Sequence, residues 1–218
     1  MKRIIVLFLF FVFSISIFAQ ENVWGITAYG GTAIPTGGFA DFYNSGYTFS
    51  GGAIYSFKFS TRIAITLGYS RWALDEDAFN NALQSDSLNV SFKGEAPVRV
   101  IPLLLQVKWY GTNEGVKPYA LIEGGFYFLK SEFSGQVFSS DSLAGNISGS
   151  NSSTNTGITL GLGLSYDLFN NVELDIAGRY HIVSLNNSYN FVPVNLGSNI
   201  SSDQYWSVTA GINIILIE

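Results

Sequence analysis

The sequence predicts an all-β chain, an eight-stranded antiparallel up-and-down transmembrane β-barrel preceded by a cleavable signal peptide. Three observations carry that expectation. First, oily and polar residues alternate over segments of ten or more residues. In "VELDIAGRYHI" (172–182), Val172, Leu174, Ile176, Tyr180 and Ile182 face away from Glu173, Asp175, Ala177, Arg179 and His181, the period-two signature of a strand with two unlike faces. Second, the connections between segments alternate between short and long. Third, the polar faces consist mostly of Gly, Ser and Thr with isolated charges, whereas a water-exposed face carries many Lys and Glu.

Residues 1–19 read as a secretion signal: Lys2 and Arg3 form the charged start, residues 4–13 the apolar core, and cleavage after Ala19 leaves Gln20 first. The barrel domain then covers 20–218. Removing Lys2 and Arg3 leaves nine basic residues facing sixteen acidic ones, a charge of −7.

Eight alternating segments follow, at about 22–34, 47–59, 62–73, 97–110, 117–131, 157–168, 172–184 and 204–217. Val, Ile, Tyr, Phe and Thr dominate them, the residues that fit a pleated surface. Strands of this length, tilted near 45°, span an apolar band of roughly 25 Å. The second and third segments join through Ser60 and Thr61, the fourth and fifth through "GTNEGV", the sixth and seventh through "FNN". The remaining connections are long: "PTGGFADFYNSG", then stretches from Leu74, Glu132 and Leu185. A membrane barrel sorts its loops in this way, short on the periplasmic side and long outside.

The faces of "GITLGLGLSYDL" show which side is out. Ile158, Leu160, Leu162, Leu164, Tyr166 and Leu168 form one, and Thr159, Gly161, Gly163, Ser165 and Asp167 the other. The oily face is expected to meet lipid and the polar face a crowded interior. Aromatics fall at both strand ends, with Trp24, Phe57, Phe59, Trp109 and Phe169 toward the short turns and Tyr47, Tyr69, Phe128, Tyr180 and Trp206 toward the long loops. Two girdles at the membrane boundaries are expected from such rings.

Composition excludes other classes. Charged residues are only 12% of the chain, about half the usual share of roughly 25%. The net charge of −5 offers no basic surface for nucleic acid. With no cysteine there is no disulfide framework or thiolate metal site.

The chain resembles the small outer-membrane β-barrel superfamily of Gram-negative bacteria, the porin-like proteins with an OmpA-, OmpX- or OmpW-type barrel. The stretches that carry the resemblance are "GGTAIPTGGFADFYNSGYTFSGGAIYSF", "IPLLLQVKWYG" and "KPYALIEGGFYF". The closing "TAGINIIL" is similar to the barrel-insertion signal, with Thr209, Gly211, Ile214 and Leu216 in alternation, although the chain ends in Ile217 and Glu218 rather than an aromatic residue. The resemblance implies outer-membrane lipid and the barrel-insertion machinery as partners, and a role in envelope integrity, adhesion or narrow transport. It implies no shared catalytic residues and no cofactor.

Strand phase points eight charged or titratable residues inward: Lys58, Lys108, Glu123, Asp167, Glu173, Asp175, Arg179 and His181. Lys108 and Glu123 are expected to pair across one turn, and Asp175 and Arg179 share a strand face. Such groups form either a salt-bridged plug, since buried ions must pair to offset desolvation, or a proton or ion path. Eight strands leave an interior that side chains fill, which favours the plug. The inward glycines Gly52, Gly68, Gly161, Gly163 and Gly211 are the positions that could leave a thread of water, and Gly163→Ser is expected to be much milder than Leu162→Arg unless the glycine marks a crowded bend.

His181 is the one histidine, and "RYHIVSLNN" is faintly similar to the site of lipid A deacylases of this barrel class. Ser184 lies three residues away, on the opposite face of a continuous strand, so catalysis is not expected. Neither a catalytic nor a metal site is expected. The loops, above all "SSDSLAGNISGSNSSTNTG", have a flexible, solvated composition. Five Asn-x-Ser sequons (Asn89, Asn146, Asn151, Asn186, Asn199) fall in or beside them and read as by-products of Ser and Asn richness. A short helix is expected over 75–83, capped by Asp75 or Asp77, with "DED" as a solvated acidic tip.

Overall fold

The computed structural model describes residues 23–57, 60–85, 90–112, 115–139, 142–169, 171–184 and 202–216. The expected signal peptide and Lys58, with Phe59 and the sequons at 89, 186 and 199, lie outside them. Among the described residues nine strands form: β1 (Val23–Thr36), β2 (Gly46–Phe57), β3 (Thr61–Trp72), β4 (Val90–Glu95), β5 (Val98–Tyr110), β6 (Val116–Ser139), β7 (Ser142–Phe169), β8 (Val172–Ser184) and β9 (Ser202–Leu216). Eight close into an antiparallel ring in the order β1-β2-β3-β5-β6-β7-β8-β9, with β9 returning to pair with β1. Closure removes every sheet edge from the ring, which is what lets strands stand in lipid with no unpaired backbone.

The alternation behaves as the sequence predicts. Ile26, Ile65, Leu67, Leu105, Ile158, Leu160, Leu162, Leu164 and Ile176 are exposed on the outer wall, while Thr66, Gln106, Thr159, Ser165 and Thr209 are buried inside. Exposed Trp24, Trp109 and Phe169 ring the short-turn end, and Tyr47, Phe49, Phe128 and Trp206 the other.

The loop reading of the region after Glu132 is wrong. β6 and β7 pair continuously from Val116 and Tyr166 to Ser139 and Ser142, with one register shift at Val137/Phe138. A hairpin arm therefore rises well beyond the ring, and Asn146 and Asn151 lie on strands. The ninth strand, β4, pairs with its stem through Glu95↔Ser134 and Lys93↔Gln136. The Ser/Asn-rich composition hides a strand because backbone pairing holds the arm and only every second residue needs an apolar partner. Val137 and Ile147 provide that on the lumen-side face, packed with Phe92 of β4 and with Phe79 and Leu83 of α1 (Glu76–Ser85). Asp75 caps α1, its Oδ1 accepting the Ala78 N–H at 3.0 Å, so this acid holds a helix start.

Candidate functional site: the barrel interior

At the short-turn end, Glu173 of β8 is held by two cations. Arg62 donates to both its carboxylate oxygens, and Lys117 Nζ lies 3.1 Å from Oε1. Lys117 also reaches Asp167 at 2.6 Å, and Asp167 is open to solvent at the mouth. One level further in, Asp175 is wholly buried. Its carboxylate accepts from Lys108 Nζ at 2.7 Å and from the Tyr119 hydroxyl at 2.5 Å. Lys108 also donates to the Tyr29 hydroxyl at 2.8 Å and sits 4.4 Å from the centre of the Tyr119 ring. Asn213 ties the two levels, its side-chain N–H reaching Glu173 and Asp175 at 3.4 Å while its carbonyl accepts from Thr27 and Tyr29.

The next level pairs Glu123 with Arg179, Nε to Oε1 at 3.6 Å; Gln106 donates to the same carboxylate and Arg179 donates to Thr209 Oγ1 at 2.6 Å. Above it, His181 is buried with Thr159 Oγ1 2.8 Å from Nδ1, Ser207 Oγ 2.9 Å from Nε2, and its ring stacked on Tyr205 at 4.1 Å. An apolar layer closes the long-loop end: Phe39, Tyr43, Trp72, Val98, Leu129 and Val183 pack as one cluster. Among the described residues the lumen thus holds four cations (Arg62, Lys108, Lys117, Arg179) against four anions (Glu123, Asp167, Glu173, Asp175).

One pairing differs from expectation: Lys108 bonds Asp175 rather than Glu123. Asp175 and Arg179 share the inward face of β8 as expected, and Arg179 meets Glu123. The sequence places residues on a face; the ring decides which strands look at each other across it. Gln106, between Lys108 and the next level up, faces Glu123 in direct register. Arg62 and Lys117 are members of the lumen that the sequence reading misses, although both share phase with inward neighbours, Ala64 and Thr66 for one, Tyr119 and Leu121 for the other. Phe39 and Tyr43 lie in a stretch whose composition reads as loop; the cluster "FADFY" is the available signal.

The inward glycines do not leave open space. Tyr119 faces Gly163 and Tyr29 faces Gly211 in register, and each ring lies where a side chain on the glycine would stand. Leu121 fills the same place beside Gly161, and Pro102 beside Gly68. Glycine here lets a large neighbour lie along the wall and block the bore. Gly163→Ser is therefore not mild: it should cost about 1–3 kcal/mol from overpacking, read as a lower urea midpoint for the barrel in lipid vesicles.

No protein-family model and no curated protein matches the sequence. Solved structures do. The chain is similar to Neisserial surface protein A, with 17% identity, 89% of this chain and 99% of that one covered, and a TM-score of 0.51. It is also similar to a major outer membrane protein from Thermus thermophilus, with 12% identity, 90% and 100% covered, and a TM-score of 0.51. The fold is that of the small outer-membrane β-barrels. The ring carries an apolar outer wall with aromatics at both rims, and the short connections gather at one end and the β6–β7 arm at the other.

Proposed function

We propose that this barrel is closed to solutes and acts through its surface, with a structural or interaction role in the envelope carried by the outer wall and the extracellular arm. The observation that carries this reading is the filled bore. Three charged levels, a hydrogen-bonded histidine level and an apolar layer succeed one another along it. A recess of about 200 Å³ opens at the short-turn mouth beside Arg62, Tyr110 and Lys117; deeper in, the cavity bordered by Gln106, Glu123, Arg179 and Leu104 is about 30 Å³, room for about one water and too little for a hydrated ion. β9, whose "TAGINIIL" is similar to a barrel-insertion signal, forms the seam with β1.

The enzymatic reading finds little support. His181 is inside, with hydroxyls at both ring nitrogens, and Ser184 points out. The purified barrel in planar bilayers should therefore show no steady conductance. Large, stable current steps would overturn the closed barrel in favour of a narrow channel.

A further inference from the structure

Eight of the eleven basic residues lie in the described part of the chain. Arg62, Lys108, Lys117 and Arg179 are committed to the lumen. The other four are not scattered. Arg71 of β3 is the register partner of Arg99 of β5, and Arg99 is the register partner of Lys130 of β6. The fourth, Lys93, stands above them on β4, opposite Gln136. Buried Ser70 and Trp72, Val98 and Val100, and Leu129 and Ser131 flank the three, so all three side chains point out of the barrel.

The row has a definite height. One outward step toward the membrane lie Tyr69, Ile101 and Phe128, with Ile101 and Phe128 exposed; one step the other way on β6 lies Glu132. The row thus sits where the apolar wall ends, at the level of outer-leaflet headgroups. On the far side of the barrel the corresponding belt is Tyr180, Trp206 and Ile34, so the charge is confined to one sector.

Like charges in direct register across strands repel. Glu132 offsets one of the three, bridging Arg99 at 3.0 Å and Lys130 at 2.6 Å. Two positive charges remain, in a chain that is otherwise acidic. We propose that Arg71, Arg99 and Lys130 form a binding site for the phosphate groups of an outer-leaflet glycolipid, held where the acyl chains lie on Leu67, Leu103 and Phe126. Arginine is the side chain suited to bidentate phosphate contact, and the exposed apolar wall directly below supplies the second half of a lipid site.

The full barrel, refolded into phosphatidylcholine vesicles doped with diphosphoryl lipid A, is the test. After detergent extraction the wild type should retain diphosphoryl lipid A over its dephosphorylated form. Each cation removed should weaken retention about fivefold, from the roughly 1 kcal/mol that a Lys or Arg contributes near an anionic surface, and high salt should weaken it further. The triple variant Arg71→Gln, Arg99→Gln, Lys130→Gln should lose it, with the heat-dependent gel shift reporting that the barrel is folded. Glu132→Gln acts in the opposite sense: it frees two cations and should raise retention, so a triple variant that misfolds leaves a decisive arm. Equal retention of the dephosphorylated lipid, a folded triple variant that binds as well as wild type, or a Glu132→Gln variant with weakened binding each overturns the site. Displacement by inorganic phosphate at equal concentration overturns the lipid as its occupant.

Discussion

Asp175→Ala is expected to destabilise the barrel by about 3–5 kcal/mol, the range for removing one partner of a buried ion pair. Asp175 is wholly buried and Lys108 nearly so. The carboxylate accepts from Lys108 and Tyr119, and Asn213 reaches it from the level below. Without it the ammonium keeps the Tyr29 hydroxyl and two aromatic faces, which do not neutralise a charge in a water-poor bore. Urea unfolding in vesicles gives the number. The decisive comparison is Lys108→Met in the Asp175→Ala background, which removes the stranded charge and should recover much of the loss. A harmless Asp175→Ala would mean that water reaches Lys108 freely, and the closed interior would fall with it.

That residue shows how far the sequence can be read. The inward phase of Asp175 follows from alternation in a single strand, and so do the phases of Lys108, Glu123, Glu173, Arg179 and His181, all of which the structure buries. Partner choice does not follow. Lys108 and Asp175 are 67 residues apart and meet only because the ring sets β8 across from β5. The eight ring strands are legible because an apolar outer wall and a packed polar bore keep the period-two contrast high. Beyond the ring that contrast fades: the arm carries Ser, Asn and Thr on its outward face and a few apolar residues, Val137 and Ile147, on the other. Its strands accordingly read as loop. β4 escapes for the same reason, with Phe92 its one buried side chain.

Leu162→Arg is expected to cost roughly 2–4 kcal/mol, the depth-dependent penalty for a cation on the lipid face near the midplane. Leu162 is 71% exposed, with Ala120 of β6 and Gly178 of β8 as its register partners. In water such a leucine would cost little to replace. In a bilayer the guanidinium must shed water or drag it in, and the small neighbours on either side offer no partner and no path for the side chain to reach the interface. An arginine in place of Ser150, exposed on the arm opposite Glu132, should change stability by no more than about 0.5 kcal/mol. Both variants are compared by urea unfolding in phosphatidylcholine vesicles. Dependence on the bilayer is the point at issue, since a soluble barrel with the same coordinates would tolerate both changes. A large loss at Leu162 with none at Ser150 places the oily wall in lipid; equal, small effects at both positions would put that wall in water and remove the membrane from the reading of this fold.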